Sequence, residues 1–583
     1  MARNRVSDYT ASTTKAAPVN SAKAAPPPAP TPDDPHDVAK PVNGEYADAT
    51  AFNAEWQYDQ HDTVNGLPFQ VFDHIGETLR GKLVLGYFGD WDTSRPGINN
   101  VRTQIDIGQE VTGYQDGTIT WGFFDFRNKL GPNSSHEGKG YFPFTDAQKI
   151  VARQSIASWD DLVSTTFVEK DYDEHSAKMW AHNDIDILLA NTTTGPAQAW
   201  AYYPNQGNAY KRASSDVWIG AAADNRTNLW DGGYGQTTQV HELGHTLGLS
   251  HPGNYNFGSG GPITYVDSAF YFQDNRQYTT MSYFDSYEVG SNYIDWNLMR
   301  FMYAATPMVD DIWILQQKYG AETTTRTGDS TYGFNSTADV TNTAMKFVAG
   351  EQMTIFTIWD ANGNDTLDLS GYHTPSVIDL REGAYSSAGG WNAYGNAPAD
   401  SPLEMSDADY LAYVNANNAA VGMPARSAAL VNRYLHGDAL IENVSFLDVV
   451  GGDLLMENNI GIAYGAVIEN AKGGYGDDRI NGNWATNYLT GNGGADTFVI
   501  FDNTGTNAVG VARVDTRHDY ITDFATGVDK IDLTEFAGVD SGDVQFVGGD
   551  LLIDTDGNGS ADFTVTLLGG ATINTTSDIV YHS

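Results

Sequence analysis

Apolar and polar positions alternate along this chain with three different spacings, and each predicts its own kind of element. Thr145 to Gln148 reads as a capping box, with a hydroxyl at the cap and an amide three residues on. It opens a helix carrying Ile150, Val151, Ile156, Ala157 and Trp159. The run Asp184 to Ala190 is short and apolar and reads as a strand. Met308 to Tyr319 reads as a further helix, and two stretches near Asp407 to Tyr413 and Ser427 to Leu435 read as short amphipathic helices. Between residues 473 and 499 the repeat lengthens to nine, with Ile480, Leu489 and Phe498 at equivalent places.

Candidate chemistry is concentrated in the run His241 to His251. On a helix, His241 and His245 are four residues apart and share a face, so both can grip one ion. Glu242, one step round, is placed to activate water on the metal's open side. Gly248 permits a sharp turn, after which His251 can swing back as the third ligand. Three nitrogens plus a water is the open arrangement of a catalytic zinc, one Zn2+ per chain, rather than the closed shell of a structural site. A bare HExxH turns up by chance in roughly one chain of this length in ten or twenty, and the added Gly and third His cut that by about two orders of magnitude.

The nonapeptide run has its own metal logic. Gly473 to Asn481 matches the G-G-x-G-x-D-x-U-x repeat through Gly474, Gly476 and Asp478. The next unit is degenerate, with Asn487 at the aspartate position, and the third restores Gly494 and Asp496. Glycine and aspartate at the turns of a parallel β-roll supply backbone and carboxylate oxygens to Ca2+, which takes six to eight of them. Asp554 to Gly559, with Asp562, also spaces oxygens alternately, but it lacks a distal Glu and sits between strand-like runs, so it reads as a plain β-turn.

Composition narrows the setting. The chain has 583 residues, enough for more than one domain, and no cysteine, which excludes disulfides, thiol catalysis and a cysteine-gated zymogen. Its 74 acidic residues outweigh 32 basic ones for a formal charge of −42, which argues against nucleic-acid or anionic-membrane partners. No run of eighteen apolar residues offers a membrane anchor. The first 45 residues or so, rich in Ala, Pro, Ser and Thr without an apolar core, read as a disordered leader or pro-segment rather than a secretory signal.

Thirty residues after His251 comes Met281-Ser282-Tyr283-Phe284, and Pro252 follows the third His. The extended histidine string with a later Met-containing turn is a metzincin signature, and these particular residues resemble the serralysin family of secreted bacterial metalloproteases. The resemblance covers roughly residues 110–390 and 455–580 and implies an α+β fold. A zinc protease domain (46–322, its first sixty residues poorly placed) would precede an all-β calcium-binding β-roll domain (323–583) with an insertion near 391–450. It implies Glu242 as general base and Tyr283 as an oxyanion-stabilising tyrosine beside the zinc. Met281 would form the hydrophobic floor, and Ala199 and Ala201 would lie on an edge strand that binds protein or peptide substrates through backbone groups. It further implies several structural Ca2+ ions. Asp360, Gly363 and Asp365 would ligate one of them, with backbone oxygens of Arg326, Gly328 and Ser330 and the carboxylate of Glu469.

A monomeric enzyme, extracellular after passage through a type I exporter, is the resulting expectation. The near-terminal Asp578-Ile579-Val580-Tyr581 fits such an export signal, although His582 and Ser583 trail it. Phe88-Gly89-Asp90 does not have the spacing of an aspartate that gates a zymogen in astacins. The competing readings are a calcium-dependent adhesin with a decayed site, opposed by the intact Glu242 and Tyr283, and another metzincin branch, opposed by Pro252 and the repeats.

Overall fold

The computed structural model describes residues 117–124, 140–170, 185–193, 198–204, 215–221, 224–253, 255, 263–338, 341–348, 353–391, 405–420, 422–435, 454–501 and 517–581, with short pieces before residue 106 and between 505 and 513. The expected leader, Asp90 and the residues 194–197 ahead of the expected edge strand lie outside them.

Six strands make the first sheet: β1 (Thr118–Phe123), β2 (Tyr141–Phe142), β3 (Thr166–Glu169), β4 (Ile187–Thr192), β5 (Ala199–Ala201) and β6 (Val217–Ile219). Their order is β3-β1-β4-β6-β5, with β2 also paired to β4. β1, β3, β4 and β6 run parallel; β2 and β5 are antiparallel to their neighbours. Strands β4 and β6 are buried at every position, as parallel strands covered on both faces must be. Alternation sorts their side chains. Ile187, Leu189, Val217 and Ile219 join the main core, while Leu188, Ala190, Trp200 and Trp218 form a second cluster on the other face.

Two helices pack into the main core from the first face, α1 (Asp146–Asp160) and α2 (Tyr234–Thr246), through Ile156, Trp159, Val240 and Leu243. The capping box on α1 is formed: Gln148 N donates to Thr145 Oγ1 at 3.2 Å and Thr145 N to Gln148 Oε1 at 3.1 Å. Its inward face is Val151, Ala152, Ser155, Ile156 and Trp159, and Ile150 points outward at 58% exposure. A third helix, α3 (Val309–Tyr319), closes this half of the molecule. Residues 82–85 also dock here. Leu85 exchanges hydrogen bonds with the Gln273 amide, Phe272 N donates to Leu83 O, and the Lys82 ammonium caps the carbonyls of Val266 and Ala269.

From residue 331 onward the chain winds between two further sheets. In order come β7 (Thr331–Phe334), β8 (Thr366–Asp368), β9 (Val377–Asp379), β10 (Asn470–Lys472), β11 (Arg479–Asn481), β12 (Tyr488–Thr490), β13 (Thr497–Val499), β14 (His518–Ile521), β15 (Lys530–Asp532), β16 (Val544–Val547), β17 (Asp550–Ile553), β18 (Phe563–Leu567) and β19 (Ile579–Val580). One sheet reads β7-β8-β10-β12-β14-β18-β17-β16 beyond a short strand at Lys346–Phe347; the other reads β9-β11-β13-β15-β19. Pairing is parallel except where β16, β17 and β18 form a closing meander.

From β10 to β13, nine residues carry the chain from one sheet to the other at each step. The inward positions stack in register: Leu489 between Ala471 and Ile521, Ile480 between Ile378 and Phe498, all completely buried. The turns between them are tight enough to require glycine. At Gly494, with φ +132°, a Cβ would lie 2.2 Å from Gly476 O.

The insertion forms α4 (Asp407–Ala420) and α5 (Ala428–Leu435). Expected on the β-domain, these helices touch it through Trp391 and Leu454 and also reach across to the preceding half. Tyr410, Val414, Val431, Tyr434 and Leu435 cover Ile294, Trp296 and Met299, and Tyr410 Oη donates to Trp296 O at 2.8 Å. The apolar side chains of Ile294, Trp296 and Met299 need a cover, and the insertion supplies it. Leu489→Ala should cost about 2–5 kcal/mol, because the cavity would open inside a stacked ladder that cannot collapse. Urea unfolding of the full chain tests this, and a loss under about 1 kcal/mol would contradict the packing.

Candidate active site

Helix α2 brings His241 and His245 onto one face, and Gly248 (φ +93°) turns the chain so that His251 returns beside them. One ring nitrogen from each of the three lies within 4.8 Å of the other two, and all three residues are buried. Each Nδ1 faces a backbone carbonyl. His241 Nδ1 is 2.6 Å from Thr280 O, His245 Nδ1 2.7 Å from Leu249 O, and His251 Nδ1 3.2 Å from Tyr255 O. A carbonyl can only accept, so Nδ1 must carry the proton in all three rings, which leaves each Nε2 with its lone pair available. That is the tautomer a metal ligand needs, held by the second layer of contacts typical of such sites. The donor set fits a single zinc ion.

The floor and walls are equally specific. Met281 is completely buried under α2, and a Cβ at residue 244 would meet its Sδ at 2.6 Å and the Trp159 ring at 3.4 Å. Only glycine lets the sulfur approach the helix backbone so closely. Trp159 Nε1 in turn donates to Val240 O at 3.2 Å, which ties α1 to the same turn. Tyr283 is partly buried with its ring centroid 4.5 Å from that of His251, and Tyr255 stacks on His251 at 5.7 Å. Tyr203, two residues past β5, meets His245 edge-on at 5.7 Å. Glu242 is 1% exposed, one residue along α2 from His241. Ala199 and Ala201 lie on the terminal strand of the sheet, and both are completely buried.

Sequence reasoning missed two acids that position the site. Asp311, in the first turn of α3, accepts from Thr279 Oγ1 (2.6 Å), Thr280 N (2.8 Å), Thr280 Oγ1 (2.9 Å) and Met308 N (3.0 Å). It thereby fixes the Thr280 carbonyl that orients His241. Burial raises its pKa, and these four bonds oppose the rise. Asp274 accepts from Tyr255 Oη at 2.6 Å and Ser282 Oγ at 2.9 Å, which joins the His251 contact to the residue after Met281. Nothing in the local sequence marks either acid, since their partners are distant or lack periodicity.

Beyond this half, the expected oxygen-rich positions are spread over turns. Gly363 lies under the Asp365 carboxylate, where a Cβ would sit 2.5 Å from Oδ1. Asp365 Oδ1 accepts from Ser330 N (2.7 Å), and Asp365 N donates to Glu469 Oε2 (2.7 Å). Tyr332 Oη donates to Asp360 Oδ2 at 2.6 Å. Arg326 has a left-handed φ of +50° and pairs with Asp161 at 2.7 Å; Gly328 O accepts from Ser330 Oγ.

Along the repeats the acids form a ladder. Ser376 N and Gly474 N donate to Asp478, Asp478 N to Asp496 (2.9 Å), and Asp496 N to Asp529 (3.0 Å). Burial is the main cause that pushes Asp365 and Asp478 up to about 7 and Asp496 to about 6, with neighbouring carboxylates adding to it. Gly474, Gly476 and Gly494 sit where backbone crowds any Cβ, and Asn487 is wholly engaged, its Oδ1 by Asn483 N and its Nδ2 by Glu469 O. Among the described residues, the tightest carboxylate trio is instead Asp554, Asp556 and Asp562, within 4.8 Å of one another. All three accept from amides of their own hairpin loop.

A histidine triad beside a buried glutamate, under a mixed sheet, defines a metal-dependent hydrolase. Similarity to known proteins then narrows the class. A family profile described as Peptidase M10 serralysin C terminal matches residues 321–400 and 437–551. The chain is 34% identical over 486 residues to metallopeptidase AprA of Pseudomonas marginalis, covering 77% of this chain and 82% of that one. It is 32% identical to metalloprotease AprA of Pseudomonas entomophila, over 80% and 86% of the two chains. With the serralysin of Proteus mirabilis the identity is 32%, over 66% of this chain, which spans only 62% of that relative's length. The chain belongs to the serralysin family and is a zinc metalloendopeptidase. No helix among the described residues is long and apolar enough to cross a membrane.

Asp311→Ala should release the Thr280 carbonyl and weaken zinc binding by about 10–100-fold, the usual cost of losing such a supporting contact. Competition with a chromogenic chelator measures this; an unchanged affinity would remove Asp311 from the site's support.

Proposed function

We propose that the protein is a secreted endopeptidase that hydrolyses peptide bonds of extracellular proteins, with Glu242 as general base and general acid. Zinc held by His241, His245 and His251 would supply Lewis acidity toward the scissile carbonyl and lower the pKa of water toward ~7. Glu242 takes the proton of the attacking water and returns it to the leaving amine. Tyr283, tilted against His251, donates its hydroxyl to the oxyanion as the carbonyl becomes tetrahedral. His241, His245 and His251 hold the metal, and Met281 keeps the floor dry. The observation that best supports this reading is the set of three Nδ1–carbonyl contacts that aim three imidazoles at one point.

Calcium is the second part of the proposal. The Asp365–Glu469 turn and the Asp478–Asp496 ladder hold carboxylates whose pKa values are raised chiefly by burial and further by neighbouring carboxylates, and Ca2+ would supply the opposite charge there. Asp360, Gly363 and backbone oxygens of Arg326, Gly328 and Ser330 would complete the first of these sites, and Gly474, Gly476 and Gly494 the turns of the second. Export by a type I system is consistent with the C-terminus. Asp578 and Ile579 are buried and Ile579–Val580 are built into the second sheet, while Val580 stays 39% exposed, so folding would cover half of that signal and export would precede it. Folding on meeting external calcium would provide that order of events. The protein would act as a monomer, with the leader as a pro-segment.

Glu242→Gln should retain one zinc per chain and lose casein hydrolysis by several orders of magnitude; normal cleavage by the variant would end this mechanism. Calcium removal with a selective chelator should lower stability by about 2.7 kcal/mol for each site previously held at a hundredfold excess over its Kd. Calorimetry with and without added calcium reads the shift, and an unchanged melting temperature would exclude structural calcium.

A further inference from the structure

A cavity of about 290 Å³ opens at the N-terminal end of α2, its walls including Gln198, Trp230, Tyr234, Arg300, Arg426 and Tyr434. Several pieces of the chain meet there. Gln198 immediately precedes β5, Tyr234 is the first residue of α2, Arg300 lies on a short strand paired with Ile294–Asp295, and Arg426 and Tyr434 come from the insertion. The family profile is interrupted between residues 400 and 437, so the insertion's share of the wall is a feature of this chain outside the matched family pattern.

The lining is positively charged and rich in donors. Among the described residues neither Arg300 nor Arg426 reaches a carboxylate at ion-pair distance. Arg300 Nε donates to Asn418 Oδ1 at 2.7 Å and its Nη2 to Pro424 O, so the insertion anchors the guanidinium in place. Burial, and the nearby Arg426, pull the Arg300 pKa down to about 10. The acid facing Arg300 across the strand pair is Asp295, and its Oδ1 already accepts from the amides of Asn297 and Leu298. Two buried donors on the wall, Arg426 Nε and the indole Nε1 of Trp230, have no acceptor among the described residues. Buried donors of this kind call for an acceptor, and a planar guanidinium matches a carboxylate better than any other anion a protein carries on its ordinary side chains.

The position relative to the chemistry follows from helix geometry. Tyr234 precedes His241 by seven residues, which is about 10 Å along the helix axis, a distance that an extended peptide spans in about three residues. We propose that this cavity is a substrate subsite that accepts the carboxylate side chain of a glutamate or aspartate about three residues from the scissile bond. The carboxylate meets the guanidinium of the half-buried Arg426, with Arg300 behind it, while the aromatic rings cover the methylene stem. The proposal rests on the endopeptidase reading and adds its substrate preference.

Full-length protein with zinc and calcium is assayed on internally quenched peptides with amidated C-termini, in which Glu is exchanged for Gln at each position within four residues of the cleaved bond. At one position kcat/KM should favour Glu by about tenfold, the effect of one added charge-assisted pairing. Arg426→Ala should bring that ratio close to one, and Arg426→Glu should turn the preference toward Lys. A ratio near one at every position, a ratio unchanged in both variants, or a preference seen only with free C-terminal carboxylates would overturn the subsite. Casein cleavage with a flat Glu/Gln ratio overturns the subsite alone, whereas failure to cleave casein and every peptide removes the endopeptidase reading with it.

Discussion

Three hydrogen bonds from imidazole Nδ1 to backbone carbonyl set the geometry on which the rest of this protein's chemistry depends. Spacing along α2 can put two histidines on one face, but it cannot say which nitrogen each presents. The carbonyls of Thr280, Leu249 and Tyr255 decide that, because an oxygen that only accepts forces the proton onto Nδ1. Much of the surrounding structure serves to hold those three carbonyls. Gly248 turns the chain so that Leu249 O faces back toward His245. Asp311 clamps Thr280 from α3, and Asp274 joins Tyr255 to Ser282. The absence of a Cβ at Gly244 lets Met281 press against the helix from below.

The second half of the molecule solves a different problem. The parallel β-roll is built from strands of two to five residues, and its tight turns bring carboxylates close to one another. The ladder Asp478, Asp496 and Asp529 is bonded through successive backbone amides, which offset part of the desolvation but leave the acids hungry for positive charge. Under the calcium reading proposed above, the stability of this architecture would be coupled to a cation. The degenerate repeat shows the alternative, because Asn487 replaces a carboxylate with an amide that supplies its own donors to Glu469 O and Asn483.

The insertion links these themes. Its helices read from sequence as an addition to the β-domain, yet they lie over Ile294, Trp296 and Met299 and bring Arg426 to the end of the helix that carries the zinc ligands. A surface embellishment is thereby turned into a wall beside the reaction centre.

Local periodicity makes the histidine string, the capping box on α1, the inward Ile480, Leu489 and Phe498, and the helices at 309–319, 407–420 and 428–435 legible in the chain itself, since a period of 3.6 or nine residues is written in consecutive positions. Boundaries are less legible: the strand expected over Asp184 to Ala190 forms over Ile187–Thr192, and Ile150 faces solvent. Asp311 acting on residues 279 and 280, Leu85 pairing with Gln273, the completely buried edge at Ala199 and Ala201, and the docking of the insertion cannot be read in this way. Each depends on partners tens to hundreds of positions apart, with no repeating spacing to betray them. Residue identity named three candidate metal ligands; long-range packing chose the nitrogen each one offers and the walls that surround them.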